Sequence, residues 1–314
     1  MKSISIIIPT RNRIDTLRRC LMEIKNSTIK PKEIIVVDQS DIKIKLENVN
    51  DVNLENIKII YQEYPSLTKA RNNGLKKATG DIIIFMDDDT ILNKYSLENV
   101  LTTFKIGDDI KLVTSIDVNS KKRKKYPDVL GKIFARKKAS KKGGYICKGA
   151  MLGRYNNINL NISETEWAMG YFFAIYNDVV KKYKLKFDEN LISYAYPEDL
   201  DFTYNYYRNV KKDNGKCIIN KNIYVNHLGS NEFRIESNKS LSMYVINRIY
   251  LSYKYFNSPI YRIILIWSDF GEIIRRILTK NEYIPIIKAY IECFKNRKDL
   301  KNKIINDNLF KLMR

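Results

Sequence analysis

The 314 residues are 44% apolar, which excludes a chain disordered throughout and bounds it at one large domain with an appendage. The formal net charge is +21, but it is concentrated: residues 121–148 hold twelve Lys/Arg against one acid, and residues 240–314 hold fourteen against six. A uniformly basic fold is therefore excluded, and two basic segments remain, each suited to anionic lipid, anionic glycan or nucleic acid.

Ser3–Ile8 reads as a buried strand that ends at Pro9-Thr10, and Asp15–Lys25 has helical spacing. Glu33–Val37 is a second short apolar run and Ile57–Gln62 a third. Leu67–Ala78 suits a helix with Gly80 as its stop signal, and Asp81–Met86 is a fourth strand running into Asp87-Asp88-Asp89. Leu97–Thr103, Val179–Lys184 and Leu200–Asn209 look helical, while Glu166–Phe173 and Cys217–Val225 look like strands. Alternating strands and helices imply a mostly parallel α/β sheet, which binds ligands beyond the carboxyl ends of its strands. Residues 117–150, rich in Lys and Gly, read as a mobile basic loop. From about residue 236 the chain reads as basic amphipathic helices.

Four scattered cysteines without a CxxC pair fit free thiols in a reducing compartment. The run Ile4–Pro9 is too short for a signal-peptide core, and no stretch approaches the ~20 apolar residues of a membrane span.

The strongest chemical signal is FMDDDT at 85–90. Three successive carboxylates at a strand end are costly unless a cation sits among them. Strand alternation would point Asp87 and Asp89 the same way and Asp88 the other. Two carboxylates with phosphate oxygens are a usual shell for Mg²⁺ or Mn²⁺. An acidic turn is the plainer reading. In YPEDLDF at 196–202, Glu198, Asp199 and Asp201 could supply a general base or simply cap a helix. Asp38 ends a strand, as a base-edge acceptor or a turn residue. Arg71 suits a diphosphate or a solvated helix face.

IIIPTRNR (6–13), IIVVDQS (34–40), LTKARNNGLKKATGDIIIFMDDDT (67–90), WAMGYFFAI (167–175) and YPEDLDF occur in the order of one known family. Over roughly residues 3–230 the chain resembles the inverting family 2 glycosyltransferases of the GT-A fold. The resemblance implies a GT-A catalytic domain over 1–235, with a nucleotide-sugar-binding half (1–116), the basic loop (117–150) and an acceptor half (151–235). A helical extension over 236–314 would then bind membrane or a second subunit. It implies a nucleoside diphosphate sugar held by Pro9, Thr10, Arg11, Asp38, Arg71, Asp87 and Asp88. It implies Mn²⁺ or Mg²⁺ on Asp87 and Asp89. It implies Asp199 as the base, with Glu198 next in line and Asp201 third. His227, the one histidine, is either structural or a third metal ligand, as in some relatives. Gly170 falls where the family places the floor beneath donor sugar or acceptor, but the arginine that often follows is replaced by Tyr171-Phe172-Phe173. Trp167 is either a sugar platform or a buried ring.

The tail from Pro259 onward interleaves isoleucines, Trp267 and Phe270 with basic residues, as bilayer-interface helices do. The resulting expectation is sugar transfer to a lipid-linked or surface-glycan acceptor, by a cytoplasmic enzyme peripheral on the inner face of the membrane. Two other classes stand beside it. A nucleic-acid-binding protein would show a recognised motif, and the excess charge avoids the sheet rim. A nucleotidyltransferase would need a triphosphate-cradling Gly/Lys loop, and none is evident.

Overall fold

The computed structural model describes residues 2–52, 56–119, 128–156, 160–192, 196–229 and 236–313. The chain opens with β1 (Ile4–Thr10), α1 (Ile14–Lys25), β2 (Glu33–Asp38), a 3-10 segment (Leu46–Val52), β3 (Ile57–Tyr61), α2 (Leu67–Lys77) and β4 (Ile82–Met86). β1, β2 and β4 are buried at every residue, which is why their sequences are apolar apart from Ser5, Thr10, Glu33 and Asp38. Next come β5 (Thr90–Leu92), α3 (Ser96–Phe104), β6 (Ile110–Thr114), α4 (Asp128–Ile133), β7 (Gly144–Cys147), β8 (Leu152–Tyr155) and β9 (Ile162–Glu164). Then follow β10 (Phe172–Tyr176), α5 (Asn177–Lys182), α6 (Glu198–Lys212), β11 (Lys216–Asn220) and β12 (Val225–His227). The chain ends in α7 (Ser237–Tyr255), α8 (Ile260–Leu278), α9 (Ile284–Lys295), α10 (Arg297–Lys301) and α11 (Asp307–Met313).

Eight strands form the central sheet in the order β3-β2-β1-β4-β10-β6-β11-β9. β1 to β4 are parallel, and β10 runs antiparallel between β4 and β6. Helices α1 and α3 cover one face, and α2, α5 and α6 cover the other. Parallel β1, β2 and β4 bring their carboxyl ends to one rim, where Thr10 lies opposite Asp38 in register.

Three expectations change. The strand expected at Glu166–Phe173 starts only at Phe172, because Gly170 spends its N–H and C=O on side chains of the site rather than on the sheet ladder. Cys217–Val225 is broken after Asn220, whose side chain accepts from the Asn222 N–H at 2.9 Å. The expected loop over 117–150 contains α4 and β7, although residues 120–127 lie outside the described part.

The C-terminal helices are not a detached appendage. A third core cluster joins Leu241, Ile246 and Leu251 of α7 to Ile146, Trp167, Leu200 and Tyr204. Lys254 holds Asp188 at 2.7 Å and Asp201 at 2.8 Å, so α7 is ion-paired to α6 and to the loop before it. Among the described residues no helix is long and apolar enough to cross a membrane.

Candidate active site

β4 delivers the chain into a turn in which the Thr90 N–H donates to the Asp87 carbonyl at 3.1 Å. The aspartates therefore sit in a turn, not on a strand, yet they divide as alternation would have divided them. Asp88 points inward: it accepts from the Thr10 hydroxyl at 2.7 Å and lies 2.7 Å from Arg13 Nη2. Burial pushes its carboxyl up to about 7, against the pull of Arg13 and Thr10.

Asp87 and Asp89 turn to the other side and meet His227. The β5–β12 pairing sets His227 opposite Thr90, directly beside the turn. Its Nε2 lies 3.2 Å from Asp89 Oδ1 and 4.0 Å from Asp87 Oδ2. One ligand atom from each of the three falls within 4.8 Å of the others. The imidazole stacks on Tyr171 at 5.0 Å, which fixes its plane. Burial lowers the tendency of His227 to protonate, but the hydrogen bond it donates to Asp89 and the charge of Asp87 outweigh it and raise its pKa. Two hard carboxylates and one borderline imidazole are a fitting donor set for a divalent cation.

Arg71 is the hinge of the second constellation. It is 1% exposed, with Nη1 donating to Glu198 at 2.7 Å and Nη2 to Asp87 at 3.0 Å and to the Gly170 carbonyl at 3.2 Å. The Gly170 N–H in turn donates to Asp199 Oδ2 at 2.9 Å, and the Leu200 N–H donates to Oδ1 at 2.6 Å. Gly170 is required here: a Cβ would sit 2.8 Å from Arg71 Nη2 and 3.3 Å from Asp199 Cβ. Glu198 is buried, and burial, reinforced by Asp199, lifts its carboxyl to about 7 against Arg71. Burial also raises Asp199, whose side chain remains partly accessible.

Several residues expected at the donor site are engaged within the chain. The Arg71 guanidinium is enclosed by Asp87, Glu198 and Gly170, and bonds to all three. Asp38 is fully buried, and its two oxygens accept the backbone N–H groups of Ser40 and Ile44 at 2.9 and 2.7 Å. It organises the loop after β2, as its reading as a turn residue expects. Thr10 and Asp88 satisfy each other, and Pro9 is buried in β1. Arg11 is exposed and lies 3.7 Å from Asp41. Trp167 is not a free sugar platform: it is buried and stacked on Tyr155 at 4.9 Å. Asp201 is taken by Lys254 and Tyr255, so it is an anchor for α7.

Arg13 and Tyr171 were not singled out from the sequence. Arg13 lay inside the quoted IIIPTRNR motif, and only the β1–β4 adjacency reveals its two aspartate partners. Tyr171 holds the turn through its carbonyl, which accepts from the Asp87 N–H at 3.2 Å and the Thr90 hydroxyl at 3.0 Å.

A mostly parallel sheet with an Asp–Asp–His cluster at its carboxyl rim defines a GT-A protein. A structure of GalNAc-T7 with UDP, GalNAc and Mn²⁺ superposes with a TM-score of 0.59 over 90% of this chain and 52% of that one, at 16% identity, a likeness of fold. The glycosyl transferase family 2 model matches residues 5–160. The chain belongs to that family. It is 34% identical over 143 residues to the uncharacterized glycosyltransferase YwdF of Bacillus subtilis, covering 42% of this chain and 49% of YwdF. It thus spans about half the length of that relative. TarP of Staphylococcus aureus, a poly(ribitol-phosphate) beta-N-acetylglucosaminyltransferase, is 26% identical over 269 residues, 83% of this chain and 75% of TarP.

Proposed function

We propose that this chain is an inverting, divalent-metal-dependent glycosyltransferase that moves a sugar from a nucleoside diphosphate donor to a glycan or lipid-linked acceptor. The observation that carries the proposal is the pairing of two sites through one residue. Asp87 gives one oxygen to Arg71 and turns the other toward His227. The candidate cation site and the candidate base are thereby built on one hydrogen-bonded frame.

Asp87, Asp89 and His227 would hold the cation, with the imidazole favouring Mn²⁺ over Mg²⁺. Bound there, the cation offsets charge building on the departing diphosphate. Asp199 takes the acceptor proton. Its raised pKa makes it a stronger base than an exposed aspartate, and the two backbone N–H groups fix its orientation. The acceptor oxygen then bonds to the anomeric carbon as the bond to the diphosphate breaks on the opposite side. Glu198 is committed to Arg71 and acts as a positioning residue.

TarP by its name acts on a phosphate-rich polymer, and GalNAc-T7 was solved with UDP and Mn²⁺. The first supports an anionic cell-surface acceptor and the second a UDP-sugar donor; the basic, apolar C-terminal helices support an enzyme peripheral on the inner face of the membrane. A panel of nucleotide sugars, scored by thermal shift and by nucleoside diphosphate release with and without Mn²⁺, tests the reading. One UDP-sugar should stabilise the protein and be turned over only with metal. Undiminished turnover by Asp199→Asn would overturn the mechanism.

A further inference from the structure

Helix α8 buries polar and charged groups and exposes apolar ones. Its buried face carries Ser268, Asp269 and Glu272 beside Leu265 and Gly271, while Ile263, Ile266, Trp267, Phe270 and Ile277 are exposed. The exposed residues follow helical spacing and share one face. The two acids of α8 turn inward, where arginines meet them. Asp269 lies 2.6 Å from Arg248 and 3.5 Å from Arg136, and Glu272 lies 3.3 Å from Arg136 and 3.0 Å from Arg276. The outward face therefore contains no acidic group.

α4 extends this face. Trp267 Nε1 donates to the Ile133 carbonyl at 2.8 Å, and its ring lies 5.0 Å from that of Phe134. Gly271 permits the contact, since a Cβ there would meet Phe134 Cγ at 2.2 Å. Val129 of α4 is 70% exposed and Ile133 54%. Lys132 precedes Ile133 on α4, Arg262 lies in the first turn of α8 with its guanidinium on the Phe256 and Asn257 carbonyls, and Lys280 follows the last turn, so cations flank the ridge. α9 is apolar on both sides: it buries Ile286, Ala289 and Cys293, and Ile287, Ile291 and Phe294 face outward beside Lys288 and Lys295, the latter 3.3 Å from Glu292.

We infer that the α4–α8 ridge docks on an anionic phospholipid bilayer, with α8 lying in the plane of the interface. An apolar stripe that a fold turns outward, at the expense of burying its charged side, has a partner that takes the stripe out of water. The basic rim selects that partner. An anionic leaflet complements Lys132, Arg262 and Lys280, whereas a two-fold copy of the same face would set these cations against their own equivalents. The inference deepens the membrane location proposed above. Its test requires no sugar transfer, so either reading can fail alone.

The chain has two tryptophans, and Trp167 is buried. Emission from Trp267 therefore reports the ridge. With vesicles rich in phosphatidylglycerol, the emission should shift to the blue and be quenched by brominated acyl chains. Binding should fall about tenfold or more with phosphatidylcholine alone or in high salt. Ile266→Glu and Ile263→Glu should each weaken vesicle binding at least tenfold with the melting temperature unchanged, because both side chains already face water. An unchanged Trp267 emission would overturn the proposal. So would vesicle binding that neither variant weakens. A dimer in solution that both variants dissociate, without vesicle binding, would assign the ridge to a second copy and overturn it equally.

Discussion

Arg71 stands 3.0 Å from Asp87, and the same guanidinium reaches Glu198 at 2.7 Å. A helix of the nucleotide half thus holds together the aspartate turn after β4 and the first turn of α6. Arg71 and Glu198 are buried while Asp87 is partly exposed, and the Glu198 carboxylate depends on the arginine for its charge.

Arg71→Met should cost about 3–5 kcal/mol of stability, the range for stranding a buried charge. Glu198→Gln in the same background should recover part of that loss, because it removes the stranded carboxylate. Urea unfolding of the two single variants and the double variant measures the coupling, expected at about 0.5–3 kcal/mol. Strict additivity would show that the residues act independently.

Asp199→Asn should lower turnover by about 10²–10⁴-fold, the usual contribution of a general base. It should also cost about 1–3 kcal/mol of stability. Both Asp199 oxygens accept backbone N–H groups, so the new amide NH₂ must face one of them. Donor binding, read by thermal shift, should persist.

Gly170→Ala should act without altering any ionisable group. The added methyl must displace Arg71 or Asp199, and overpacking of this kind costs about 1–3 kcal/mol. Turnover should fall more than donor affinity, because the methyl pushes Asp199 away from the backbone N–H that orients it. Steady-state kinetics separates the two.

Stability should fall in acid through Glu33, far from the site. Burial would raise this carboxyl, but hydrogen bonds from Lys58, Ser5 and Thr79 overcome that and hold it at about 2, against an ordinary 4.5. The folded value lies below the unfolded one. The stabilisation, up to about 3 kcal/mol, is complete above about pH 4.5 and drains away as the pH falls toward about 2. Glu33→Gln should lose it at neutral pH and flatten this part of the acid profile, as chemical denaturation from pH 7 to pH 2 would show.

The strands of the nucleotide half were legible because a fully buried parallel strand leaves an unmistakable apolar run, as in Ile4–Ile8 and Ile82–Met86. The convergence of Asp87 and Asp89 was legible for a different reason than the one that operates: a turn separates them from Asp88, not strand pleating. The partners of Arg71 are tertiary and were not legible, whereas those of Asp38 are local, as its reading as a turn residue expects. Glu198 lies 127 positions from Arg71, while Ser40 and Ile44 lie two and six positions from Asp38. For α8 the spacing gave the amplitude of the apolar stripe but not its direction. Only Arg136 and Arg248, buried by long-range packing, decide that its acids face inward.

The central claim is that Asp87, Asp89 and His227 form a cation site. Calorimetric titration of Mn²⁺ into the protein with UDP present, repeated on Asp89→Asn and His227→Ala, tests it most directly. The account predicts one site per chain in the unmodified protein and affinity weakened at least tenfold in each variant. Equal affinity in all three proteins would contradict it.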